Sequence, residues 1–215
     1  MTFCKRVASL LGLMGVLAAG NSGAWAIDVN LSSDEAHKAL EIGRVPMENA
    51  NSPEDVKRVL QQASLATRVG ADPEKEPCGA SAVLRTKRYR LEAFGRQEAA
   101  ESKKRKTDVR MPEEFIQKVM DMPNMEMDVQ LCGDDEYFAE GAVIELQQGS
   151  KRIKPIDTGK AERGRKNEGN GPAFRSRFTA IFAYEQFDST ASSEFVVNLQ
   201  DGKEIRIPAD FSKVK

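Results

Sequence analysis

Phe195-Val196-Val197-Asn198-Leu199-Gln200-Asp201-Gly202-Lys203-Glu204-Ile205-Arg206-Ile207 sets two alternating apolar runs on either side of an Asp-Gly pair. Phe195, Val197 and Leu199 share one face of an extended chain, and Ile205 and Ile207 share one face of the next. Asp-Gly tolerates the positive φ that tight hairpin turns require, so the stretch predicts two antiparallel strands with one buried side each.

The same period of two recurs upstream. Met125, Met127, Val129 and Leu131 alternate with Glu126, Asp128 and Gln130; Ala142, Ile144 and Leu146 repeat the pattern, as do Phe178, Ala180, Phe182 and Tyr184. Tyr89, Leu91 and Ala93 set against Arg88, Arg90 and Glu92 predict a further strand. About six strands, each with one polar face, predict a mainly β chain: an antiparallel β-sandwich, immunoglobulin-like or similar. Thr158 to Pro172 interrupts it with a long charged stretch that lacks any large apolar residue and reads as a flexible connection.

A small helical segment over residues 27–77 is expected to precede this β region, which spans 78–215. Ser32-Ser33-Asp34-Glu35 carries a capping box ahead of Ala36, Ala39 and Leu40. Arg44 to Asn51, with Pro46, reads as a loop. Ser52-Pro53-Glu54-Asp55 starts a second helix bearing Val56, Val59, Leu60 and Ala63 on one stripe, with Gly70 and Pro73 as its stops. Two more helices are expected inside the β region: a solvated one over Arg96 to Lys106 and a short one from Pro112 to Met120.

The N-terminus reads as an export signal over residues 1–26. Lys5 and Arg6 precede an apolar run from Val7 to Ala19, and Ala24-Trp25-Ala26 supplies the cleavage pattern. That run is about 13 residues where a membrane span needs about 20. Of 215 residues, 189 remain after the first 26 are removed, enough for one core. The mature chain then holds 30 basic residues against 33 acidic ones, a net of −3, which provides no global attraction to nucleic acid. A periplasmic or secreted location is the expectation. Cys78 and Cys132 are the two cysteines left, and an even count in an oxidising compartment predicts a disulfide closing a 54-residue separation (132 minus 78). Chain entropy puts that constraint at roughly 4 kcal/mol at most.

Several chemistries are excluded or weakened by composition. His37 is the lone histidine, so a zinc site built on several histidines is ruled out; a Ser-His-Asp triad would have to recruit it from the flank of the first helix. Gly164 to Gly169 has phosphate-loop spacing, but Asn170 and Gly171 stand where Lys and Ser/Thr are needed. Met120, Met122, Met125 and Met127 suit Cu(I), yet the alternation turns Met125 and Met127 towards the core. Removing the signal removes the only tryptophan, which weakens a sugar-binding reading.

Two constellations remain. Asp134, Asp135, Glu136 and Glu140 gather acids on one strand connection, where oxygen ligands suit Ca²⁺ and the same residues also suit a turn. Basic residues cluster at Lys103-Lys104-Arg105-Lys106, at Lys151-Arg152 with Lys154, at Arg163, Arg165 and Lys166, and at Arg175 and Arg177. If these patches share a face they would meet an acidic protein surface, anionic lipid or anionic polymer. Ser32 to Gly43, Cys78 before a strand, and Asp210 to Val214 as a closing strand together resemble a family of secreted, β-rich bacterial proteins with no assigned activity. The resemblance implies export and a β-rich fold. The leading expectation is therefore a non-catalytic module that binds another envelope component, in first place a protein. The alternatives are a carboxylate-dependent hydrolase, with or without calcium, and a binder of anionic lipid or polymer.

Overall fold

Residues 27–168 and 171–214 are described by the computed structural model, and the path begins with two capping boxes. Ser32 and Glu35 cap helix α1 (Ser33–Asn49), and Ser52 and Asp55 cap α2 (Pro53–Ala66), each side chain meeting the other's backbone N–H. Short strand β1 (Arg68–Gly70) and strand β2 (Ser81–Arg85) lead into α3 (Lys87–Arg105) and α4 (Glu113–Met120). Strands β3 (Asn124–Gly133), β4 (Val143–Gln148), β5 (Lys151–Ile153), β6 (Asp157–Thr158), β7 (Arg165–Lys166), β8 (Phe174–Ala183), β9 (Ser193–Asn198) and β10 (Glu204–Ala209) complete the chain. The export-signal reading falls on residues 1–26, outside the described residues.

Two antiparallel sheets result. One runs β1-β2-β3-β8-β6, with β7 also paired to β8; the other runs β10-β9-β4-β5. The Phe195–Ile207 stretch forms the β9–β10 hairpin as read, with Asn198 opposite Glu204 and Gly202 at φ 83° in the connecting turn. The inward residues of both sheets make one core: Leu84, Met125, Met127, Val129, Leu131, Phe178 and Phe182 from the first, Ile144, Leu146, Phe195, Val197 and Ile207 from the second. Phe182 meets Phe195 across it with ring centroids 5.6 Å apart.

Helices take up 34% of the described residues and strands 28%, so the mainly β expectation is corrected to a sheet-rich mixture. The largest cause is α3. Its first two turns cover the alternating Arg88–Ala93 segment, but Thr86 caps the Tyr89 N–H, and Leu91, Gly95 and Ala99 recur every four residues against α1. Period 3.6 was present beneath the period of two, and burial of that stripe decided between them. The expected solvated helix over Arg96 to Lys106 is the second half of α3, and Arg96, Glu98 and Ala99 within it are buried.

Packing of α1 on α3 is backbone-close. A Cβ on Gly43 would lie 1.9 Å from the Glu92 carbonyl oxygen, and one on Gly95 would lie 1.9 Å from that of Leu40. The Arg44–Asn51 loop is also corrected, because α1 continues through Pro46 to Asn49. Proline costs one helical hydrogen bond, but the last turns are held by tertiary contacts of Arg44 and Met47. Residues 27–77 are accordingly no separate preface: β1 edges the first sheet and α1 supplies half of the helix pair. Asp210 to Val214 does not close the chain as a strand; Phe211–Lys213 is a 3₁₀ turn with Phe211 in the core. Among the described residues no helix is long and apolar enough to cross a membrane.

The charged 158–172 stretch also departs from expectation. The backbone N–H groups of Gly159 and Glu162 donate to the β8 carbonyls of Thr179 and Arg177, and that of Asn167 donates to the Ala173 carbonyl, so the described part of this stretch up to Asn167 is laid along β8. Ladder hydrogen bonds need no apolar side chains, which is why composition alone did not show the pairing.

Candidate functional site

Since Met125, Met127, Val129 and Leu131 point inward, their neighbours on β3 point outward, and register builds rows across the outer face of the first sheet. One row is Ser81, Gln130 and Arg177; the next holds Val83, Asp128 and Thr179, with Arg68 of β1 beside Val83. Arg175 lies two residues from Arg177 on the same face of β8, with Arg165 of β7 opposite it.

The two ends of this face differ in charge. At one end Arg85 pairs with Asp128 at 2.6 Å and with Glu126 at 3.1 Å, and Arg90 of α3 reaches Glu126 at 2.6 Å. At the other end Arg68, Arg175 and Arg177 form no salt bridge with any described residue. Neutral acceptors hold them instead. Arg68 donates to Ser81 Oγ at 2.7 Å and Ser64 Oγ at 3.3 Å; Arg177 donates to Gln130 Oε1 at 3.2 Å; Arg175 donates to Asn167 Oδ1 at 3.0 Å and the Pro77 carbonyl at 3.2 Å. Such partners fix the direction of a guanidinium and leave its charge intact. Arg68 and Arg175 each also keep a buried Nε with no acceptor among the described residues. Burial, and then the Arg177 charge, push the Arg68 guanidinium down from its ordinary value, with Asp72 opposing.

Two cavities open over these residues. One of about 370 Å³ is lined by Arg68, Arg85, Tyr89, Gln130, Lys160 and Arg177 among others. The second, about 520 Å³, is lined by Arg165, Lys166, Asn167, Arg175, Arg177 and Glu168, and Glu162 lines both. Together they make a groove with seven cationic side chains and three acidic ones, of which Asp128 is already bound to Arg85.

The disulfide underlies one end. Cys78 and Cys132 are bonded, with Cα atoms 5.4 Å apart where the β2 and β3 ends meet, as their sequence positions predict. Cys132 stands opposite Arg175, the Asn167 amide donates to Cys78 Sγ at 3.0 Å, and the Pro77 carbonyl orients Arg175.

Of the four basic patches, two meet: Arg165 and Lys166 join Arg175 and Arg177. Lys103, Lys104 and Arg105 instead end α3, where Lys106 caps it, and Arg105 pairs with Glu101. Lys151 and Arg152 form β5 in the other sheet, with Lys151 donating to the Gln186 carbonyl and Arg152 beside Glu145 at 3.5 Å. Arg163 turns to Glu136 at 2.6 Å and over the Tyr137 ring at 5.4 Å. Asp134, Asp135, Glu136 and Glu140 occupy the turn after β3: Asp135 caps the Tyr137 N–H, Glu136 is held by Arg163, and Glu140 borders a third cavity of about 600 Å³ with Tyr137 and Lys160. Among the described residues no group of three or more His, Cys, Asp or Glu is gathered as a metal site. His37 sits at the surface beside Glu113 at 3.2 Å.

Arg68, Arg85 and Lys160 are the cationic members sequence reasoning missed; Arg68 follows directly on a helical stripe and sits in a strand of three residues. The i, i+2 spacing of Arg175 and Arg177 and the adjacent pair Arg165 and Lys166 were the available signals. Against family models, curated proteins and solved structures the chain has no match. The groove is therefore read on its own geometry.

Proposed function

We propose that this is an exported, non-catalytic β-sandwich module that captures an anionic envelope or secreted component in the groove on the outer face of its first sheet. One observation carries the reading: Arg68, Arg175 and Arg177, from two strands, are aimed by neutral acceptors and carry no carboxylate partner among the described residues. Clustering like charges costs energy in the free protein, and an oxyanion reverses the sign of that cost. Because the guanidiniums are already oriented, little side-chain entropy is left to lose on binding. The expected partner of an exported chain is another envelope component, and the groove selects for one that displays clustered oxyanions.

The test compares two triple variants of equal charge loss on phosphocellulose, read as the salt concentration of elution. Arg68→Gln/Arg175→Gln/Arg177→Gln is expected to elute well below the native protein. Lys104→Gln/Arg105→Gln/Lys106→Gln, at the end of α3, is expected to elute close to it. Coincident elution of the two variants would reduce the groove to net charge and overturn the reading.

A further inference from the structure

We infer that the groove holds two separate phosphate-type groups of one ligand, with Arg177 shared between the two positions; this rests on the anion-binding reading above and names its ligand class. The two cavities have distinct cationic linings, Arg68, Arg85 and Lys160 in one and Arg165, Lys166 and Arg175 in the other, and Arg177 is the one cation common to both. Each position thus combines arginines whose planar donor forks match the paired oxygens of a phosphate.

Spacing follows from the strand. Arg175 and Arg177 are two residues apart on β8, which separates their Cα atoms by about 7 Å and points both side chains to the same face. Glu162 lines both cavities; its N–H donates to the Arg177 carbonyl, and its side chain faces Arg165 at 3.7 Å. It places a negative charge at the junction. A ligand with charge spread evenly along its length would lie against that carboxylate, whereas two discrete groups flank it. The ligand class is therefore a molecule bearing two phosphates held apart by a neutral spacer, as in a bis-phosphorylated headgroup or a phosphodiester polymer.

Isothermal titration of the protein, disulfide formed, with inorganic phosphate and with alkylene bisphosphonates of increasing linker length tests this. Affinity is expected to pass through a maximum with linker length, at least about a hundredfold above inorganic phosphate, since the second contact becomes intramolecular. Arg175→Gln is expected to flatten the length dependence and leave inorganic phosphate binding in place, while Arg177→Gln weakens both. Inorganic phosphate binding as tightly as every bisphosphonate would overturn the two-position arrangement and leave the anion-binding reading standing; no binding of any of them, with coincident elution above, would remove both. The best bisphosphonate is then set to compete against vesicles of cardiolipin, whose two phosphates are joined by one glycerol, and against a poly(glycerol phosphate). Displacement from either supports the inference and names the source, and displacement from neither overturns it.

Discussion

Arginines are brought together twice in this molecule, and the two clusters are built oppositely. In the helical layer Arg44, 5% exposed, binds Asp108 at 2.6 Å and Glu98 at 3.2 Å and also pairs with Glu48, while Arg110 binds Glu41 at 2.7 Å and Asp108 at 3.2 Å. On the sheet Arg68, Arg175 and Arg177 have, among the described residues, serine, glutamine, asparagine and backbone acceptors only. The titration directions record the contrast. Burial works against the Arg44 charge, but the bonds from Glu48, Asp108 and Glu98 outweigh it and hold the group above its ordinary value, whereas burial and Arg177 lower Arg68. A compensated cluster serves the fold, and an uncompensated one is available to a ligand.

The contrast is broken most directly at Arg44. Arg44→Ala leaves Glu98, 3% exposed, as a buried carboxylate held by Met111 N–H and a distant Arg110, and is expected to cost about 3–5 kcal/mol in denaturant unfolding. A loss below about 1 kcal/mol would show that the helical cluster is not structural.

Cys78→Ser/Cys132→Ser comes next, with an expected loss of about 2–4 kcal/mol in the same measurement. It also weakens phosphocellulose retention, because Cys78 fixes the Pro77 carbonyl and Asn167 that aim Arg175. Unchanged retention would separate the disulfide from the groove.

Acid sharpens the comparison further. The bonds from Arg110, and then from Arg44, hold the Asp108 carboxyl below its ordinary value of 3.8. A depressed carboxyl contributes stability above its unfolded pKa and loses it as pH falls through the folded value, so this contribution is expected to fade on acidification below about pH 4. Arg44→Ala should show a smaller drop in denaturation midpoint between pH 7 and pH 3 than the native protein; an equal drop would detach Asp108 from the cluster. The smallest stability effect belongs to the sheet. Arg68→Gln/Arg177→Gln is expected to change unfolding free energy by no more than about 0.5 kcal/mol, or to raise it, since it relieves repulsion. A loss of several kcal/mol would mean that these arginines are structural after all.

Much of the framework was legible locally. The capping box at Ser32 and the helix start at Ser52, the Asp-Gly hairpin, the alternation of β3, β4 and β8, and the pairing of Cys78 with Cys132 all rest on residues close in sequence or on a count of two cysteines. Where two periods fitted one segment, as over Arg88–Ala93, local reading chose the wrong one. The candidate site was half visible: Arg175, Arg177, Arg165 and Lys166 stand out as basic pairs, but so do Lys103–Lys106 and Lys151–Arg152, which lie elsewhere.

By itself, then, the sequence determined which residues face inward on β3, β4, β8, β9 and β10, where two helices begin and which cysteines can pair. These follow from backbone period, capping chemistry and composition. Only the tertiary structure decided that α3 is one helix, that Gly43 and Gly95 let two backbones touch, and that Arg68 stands near Arg177 while Arg44 is surrounded by acids. Neutralisation depends on distances between residues far apart in the chain, 54 positions for Arg44 and Glu98, and Coulomb energy varies with those distances and with burial rather than with sequence order.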